Sequence, residues 1–319
     1  MWRYLARRLL LYIPVILMVS LMVFAIMRVM PGDLARVMLV GSEGVGQATP
    51  EALARLREEL GLNKPLHVQY IEWLWGLVRL DVGLSPFTKQ PVMEEIVKRL
   101  PVSAELAVIA VLISVTVAVP LGVVSALFQD RGLDYFVRII SIAGLTVPTF
   151  FTGTLLILAL VGVFNWIPPL LYAPFWQDPR DNLIHMIWPA LIQGYYHAAV
   201  ISRMTRSQTL EVLRLDYVRT AWAKGLPQRL VVARHVVRNA LLPVVTLVGV
   251  EFGILLSGVV VMETIFNLPG LGSYLVESIR SRDYVALQTV MVLVALLYLT
   301  VNVVVDLLYA WLDPRIRYS

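Results

Sequence analysis

Residues 216–243 read DYVRTAWAKGLPQRLVVARHVVRNALLP. The stretch is basic and amphipathic. It joins two long apolar segments, one ending near residue 203 and the other beginning near residue 240. A short helix is expected near 216–224. It should end at Gly225, because glycine accepts the left-handed backbone on which helices often stop.

The rest of the chain shows what kind of molecule carries this loop. Apolar residues make up 58% of the 319 residues and charged residues 15%, outside the range of ordinary soluble domains. Uncharged runs cover 9–27, 106–128, 139–177, 182–202 and 284–305, and 239–262 is interrupted only by Glu251. A helix needs about 20 apolar residues to cross the hydrocarbon. The expected architecture is therefore an all-α polytopic membrane protein with six transmembrane helices, at 9–29, 103–127, 136–163, 184–203, 240–262 and 286–310. The domain reading is an N-terminal helix at 1–29, an external insertion at 30–101, a core at 102–310 with its loop at 204–239, and a tail at 311–319.

Lysine and arginine set the orientation. Arg3, Arg7, Arg8, Arg131, then Arg203, Arg206, Arg214, Arg219, Lys224, Arg229, Arg234 and Arg238 at and after the end of helix four, and Arg315 and Arg317 all fall on one side if there are six crossings. That side is the cytoplasm, with both termini in it. The net charge of +5 thus reflects topology, and a nucleic-acid partner is not expected. The N-terminal run is too long for a signal peptide and lacks a small-x-small cleavage site, so it reads as an uncleaved first helix. With no cysteine, disulfides and thiol chemistry are excluded. The histidines at 67, 185, 197 and 235 form no metal-ligand spacing.

Within the insertion, Gly41, Gly44 and Gly46 mark a flexible loop. Thr49-Pro50-Glu51 reads as a helix start, with Leu53, Leu56 and Leu60 on one face and Gly61 at the end. Tryptophans 73 and 75 are placed at the membrane surface. In the core, Pro120, Pro148, Pro189 and Pro243 mark kinks. Gly122, Gly153, Gly249, Gly253 and Gly258 permit close helix contacts. Ser273 is the expected cap of a short helix ending near 281–284.

Several words of the sequence together resemble the first permease of dipeptide and oligopeptide ABC importers. Residues 219–225 (RTAWAKG) resemble the EAA signature, with Thr220 and Ala221 at the small positions and Gly225 at the glycine. Asp216 to Thr220, Arg234-His235, 238–243 (RNALLP), 61–66 (GLNKPL), 263–272 (ETIFNLPGLG) and the tail words at 306–318 extend the match over nearly the whole chain. The resemblance implies the type I ABC importer permease fold in the inner (cytoplasmic) membrane of a prokaryote. It implies four kinds of partner: a homologous second permease, two ATP-binding subunits or domains, an external solute-binding protein and membrane lipid. Asp216, Tyr217, Arg219, Thr220, Ala221, Lys224 and Gly225 are the implied ATPase-coupling residues. The family's acidic first position is Arg219 here, so no carboxylate role carries over.

No glycine-rich phosphate loop ending in GK[ST] is present, and no Ser/His/Asp arrangement. The chain is thus expected to be a transport subunit without cofactor, its ATP held by partner subunits. The competing class is an ion-coupled secondary transporter, which calls for ionisable residues at mid-membrane and inverted repeats. Glu251 is one such residue, and no repeat is evident. It lies about 15 Å into helix five, where a lone charge costs on the order of 3 kcal/mol or more. It is expected to face the pore or a neighbouring helix, opposite Gly249 and Gly253, with His197 as the candidate partner by depth. Both residues are candidates for the translocation path.

Overall fold

The computed structural model describes residues 2–29, 35–36, 39, 49–59, 61–167 and 172–312. The loop glycines 41, 44 and 46, Leu60 and the tail after 312 lie outside them. Regular structure among the described residues is helical, apart from a single bridge between Leu84 and Pro91. By internal contacts the chain forms two units. One joins Met1–Ser103 to Pro269–Leu299, and the other joins Ala104–Leu268 to Thr300–Ser319.

The first unit contains α1 (Trp2–Val29), α2 (Pro50–Glu59), α3 (Leu66–Arg79), the start of α4 (Val92–Leu127), α12 (Leu271–Ser281) and the first half of α13 (Tyr284–Leu312). Helix α2 begins as its sequence requires: Ala52 N–H donates to Thr49 Oγ1 at 3.3 Å, and proline takes the first position, where no donor is needed. Helix α3 is held on α1 by Arg28, which donates to Gln69 Oε1 at 2.7 Å, and by the Phe24 ring against Tyr70 and Trp73. A small core joins Val92 and Ile96 of α4 to Leu271 and Tyr274 of α12 and to Ala286 and Val290 of α13. The cap of α12 differs from expectation. The helix starts at Leu271, before Ser273, and the Leu271 N–H is taken by Ser103 Oγ at 2.8 Å. A hydroxyl 168 residues away in the chain thus does the work assigned to Ser273, whose own hydroxyl donates to the Gly270 carbonyl. Burial, with the nearby Asp283 carboxylate as a lesser cause, pushes the Tyr274 hydroxyl up to about 12.

The second unit carries the rest of α4, then α5 (Gly132–Thr146), α6 (Thr149–Phe164), α7 (Pro179–Leu213), α8 (Asp216–Ala223), α9 (Gln228–Val231), a π-helical turn (Val232–Val237), α10 (Arg238–Gly258), α11 (Val260–Ile265) and the end of α13. Its centre joins Ala118 of α4, Ala198 and Ile201 of α7 and Val244 of α10. Glycines bring these helices close: a Cβ on Gly122 would stand 2.6 Å from Thr205 Cβ, and one on Gly249 2.4 Å from Val305. The latter contact makes α13 the helix packed closely on Gly249. Gly258 makes no such contact, since a Cβ there would meet nothing within 4 Å.

The apolar runs translate into helices with two corrections. The expected span 136–163 is two helices, α5 and α6, bent by 98°. Val147 precedes Pro148 and is extended (φ −88°, ψ 122°), because the proline ring excludes the helical conformation from the residue before it. The expected span 184–203 lies inside the 35-residue α7, which continues ten residues further, to Leu213. Helix α7 is too polar to qualify as a span by composition. Asn182, His185, Gln193, His197, Ser202, Thr205 and Thr209 point inward and are buried. Among the described residues four helices are long and apolar enough to cross a membrane, or five with the bent pair counted as one.

Candidate functional site

Helix α8 is eight residues long and cannot be stable by itself. Its stability comes from tertiary packing. Val218 and Ala221, three residues apart on one face, are buried against Val212, Val231, Val236 and Ala240. Ala221 must be small to seat there. Asp216, Tyr217, Arg219, Thr220 and Lys224 are all exposed, so α8 keeps one face for its own protein and leaves the other open.

The end of α8 is a Schellman motif. Lys224 is the C-cap and Gly225 follows at φ +80°. Gly225 N–H donates to the Trp222 carbonyl at 2.9 Å, and Leu226 N–H to the Ala221 carbonyl at 3.4 Å. A Cβ on Gly225 would meet nothing within 4 Å, so the demand for glycine comes from the backbone and not from crowding. Arg219, at the position where the family word has an acid, stands 3.6 Å from Asp216 in an exposed pair.

A second tie joins α8 to the root of α10. Tyr217 Oη donates to the His235 carbonyl at 3.3 Å. Asn239 Nδ2 donates to that same carbonyl and to Tyr217 Oη, each at 2.9 Å. His235 lies in the π-helical turn, where the wider winding breaks the regular ladder. Side chains therefore serve the His235 carbonyl. Proline 243 follows inside α10 without a donor of its own. His235 and Asn239 were visible only as letters in a longer word, and the π turn had no local signal.

Glu251 occupies another level, about 18 Å further along α10 than Asn239. Its Oε2 lies 2.6 Å from His197 Nδ1 of α7, and both residues are buried. The Tyr196 ring meets the His197 ring edge-on at 5.2 Å. The two side chains share one hydrogen bond across the α7–α10 contact. Glu251 thus faces α7 while Gly249, two residues away, faces α13. The structure brings Glu251 and His197 together, apart from α8. Among the described residues no group of three or more His, Cys, Asp or Glu could hold a metal ion.

At the entrance to α5, Asp134 is fully buried and accepts from Arg206 of α7 at 2.8 and 2.7 Å, from Ser125 Oγ and from the Asp130 N–H. Arg206, one of the basic residues expected in the loop after helix four, lies inside α7. It is the bidentate anchor of the α4–α5 turn on α7.

Comparison with known proteins follows the same geography. Residues 118–318, which include α8 and α10, match the family described as binding-protein-dependent transport system inner membrane component. Residues 1–107 match the N-terminal model of binding-protein-dependent transport system membrane components. A protein of Brucella abortus (strain 2308) named as a peptide transport system permease is 40% identical over 307 residues, covering 96% of each chain. The dipeptide transport system permease protein DppB of Escherichia coli (strain K12) is 38% identical over 342 aligned positions, covering all of both chains. A solved amino acid ABC transporter overlaps 70% of this chain and 94% of its own at a TM-score of 0.46 and 13% identity. On the matched residues and the full-length relatives, the chain belongs to the family of binding-protein-dependent transport system inner membrane components.

Proposed function

We propose that this chain is the first of two permease subunits of an ATP-driven importer for peptides or related small solutes. It forms half of the translocation pathway and receives its drive at α8. The observation that carries the coupling role is the double attachment of α8 to the root of α10, through Val218 and Ala221 inside and through Tyr217 outside. A force applied to the exposed face of α8 reaches α10 through both. Family membership supports the transport class and lends nothing to the ion-coupled alternative. The peptide substrate follows the names of the relatives.

In this reading the chain hydrolyses no ATP. The nucleotide sits in two ATP-binding subunits or domains that dock on α8, a homologous permease completes the pore, and an external binding protein delivers substrate. Six crossings are retained, with α5–α6 as one broken span and α7 as a span shielded by its neighbours. Both termini and the 204–239 loop are cytoplasmic, and the 30–101 insertion is external. Glu251 and His197 form a polar point beside the path, suited to a peptide's ammonium group. Purification from the native membrane should bring down an ATPase chain and a second permease. Thiols engineered at Ala54 and Ser207 should react with an impermeant reagent from opposite sides. Labelling of both from outside, or an absent ATPase, rejects the proposal.

A further inference from the structure

The unused arginines lie where α5 and α7 meet. The two helices run antiparallel, tied at Asp134–Arg206 and, further in, by Ser141 Oγ and Ser202 Oγ at 3.0 Å and by Tyr195 Oη donating to the Ile140 carbonyl at 2.7 Å. Between the two levels stand Arg138, four residues after Asp134, and Arg203, three before Arg206. With Arg206 and Ile142 they line a cleft of about 420 Å³.

The charge in this cleft does not balance. Asp134 is fully occupied by Arg206, Ser125 and Asp130. Arg138 and Arg203 have no carboxylate within ion-pair distance among the described residues, and Arg138 has only the Tyr135 ring, at 5.6 Å. Two exposed guanidiniums are thus held one turn inside the last paired acid. Their spacing is set by an anchor in which neither takes part. The next turn is apolar: Ile139 and Ile142 of α5 are 65% and 56% exposed. Forked cationic donors above an uncovered aliphatic strip match an amphipathic anion. A phosphate would bridge the arginines and a chain would lie along the isoleucines.

We propose that Arg138 and Arg203, with Arg206 as their fixed edge, form a binding site for a phosphate-bearing ligand, and that the ligand is an anionic phospholipid. The site faces the leaflet on the same side as α8. That leaflet is cytoplasmic by the orientation proposed above, but binding does not require the orientation to be right. An occupied site would bridge α5 and α7 and neutralise two charges at the edge of the hydrocarbon.

The test is native mass spectrometry of the full chain with its co-purifying subunits, titrated with phosphatidylglycerol, phosphatidylcholine or inorganic phosphate. Saturable retention of phosphatidylglycerol over phosphatidylcholine is expected. Arg138→Gln and Arg203→Gln should each weaken it roughly five-fold, and the double variant more. Arg229→Gln, an exposed arginine on α9, should leave it unchanged. Arg138→Lys with Arg203→Lys keeps the charge but loses the fork, so it should bind more weakly than the unaltered chain and more tightly than the double glutamine variant, which separates lost binding from lost folding. Inorganic phosphate that competes fully at equal concentration would show that the headgroup alone is read and would reject the lipid as ligand. Equal retention of the two lipids, or no loss in the glutamine variants, overturns the site.

Discussion

Helix α10 is attached at two levels by opposite means. At its root, Tyr217 and Asn239 share the His235 carbonyl through exposed, neutral hydrogen bonds, beside a patch of valines and alanines. Eighteen ångströms further in, by the helical rise, Glu251 meets His197 in a buried pair. Hydrogen bonds in water exchange for water at little net cost, about 1 kcal/mol each. A buried ionisable pair has no such substitute, because either partner left alone keeps its desolvation penalty. The bonds at the root are therefore cheap to exchange one at a time, while the middle resists separation.

The sharpest way to break this contrast is at the middle. Glu251→Leu strands His197 in an apolar site and should cost roughly 3–5 kcal/mol. The expected outcome is loss of assembled subunit, read as the amount recovered with its partners. Glu251→Gln keeps an acceptor for the imidazole and should assemble. If Glu251→Gln also leaves transport of charged substrates unchanged, the pair is structural and its place beside the path is lost. A fall in that transport with assembly and basal ATPase intact supports the path.

A smaller effect is expected where α8 ends. Gly225→Val forces a β-branched residue to φ +80°, a strain of about 1–2 kcal/mol that the helix end relieves by moving. Uptake and transport-stimulated ATPase should fall while insertion persists. Full uptake would show that the Schellman end of α8 does not set its docking.

The smallest effect belongs to the root itself. Tyr217→Phe keeps the ring and removes one donor, a loss of about 1 kcal/mol or less. Stability should hardly change, but substrate moved per ATP hydrolysed should drop. A drop in stability as large as that of Glu251→Leu would erase the distinction between the two levels.

Some of this was legible residue by residue. Gly225 announced the end of α8 because only the left-handed backbone makes a glycine necessary there. Thr49 and Pro50 announced the start of α2 for an equally local reason. Proline 148 announced a disturbance, but its 98° size depended on what α5 and α6 pack against. Glu251 and His197 could be matched by depth alone. Their contact depends on the rotation of α7 and α10 about their axes, which packing sets.

The sequence by itself determined that the chain is a helical membrane protein. The reason is that hydrocarbon demands long uncharged runs and internally satisfied backbones, both of which are local properties. Its order of words also determined the family. Tertiary structure alone decided that Ser103 caps α12, that Arg206 is an anchor and not a loop charge, that α7 keeps its polar residues inward, and that Tyr217 and Asn239 close on a π turn. Each joins residues distant in sequence through hydrogen bonds or a buried face. Such partners are chosen by which surfaces meet when the helices pack, and no periodicity along a single helix records that choice.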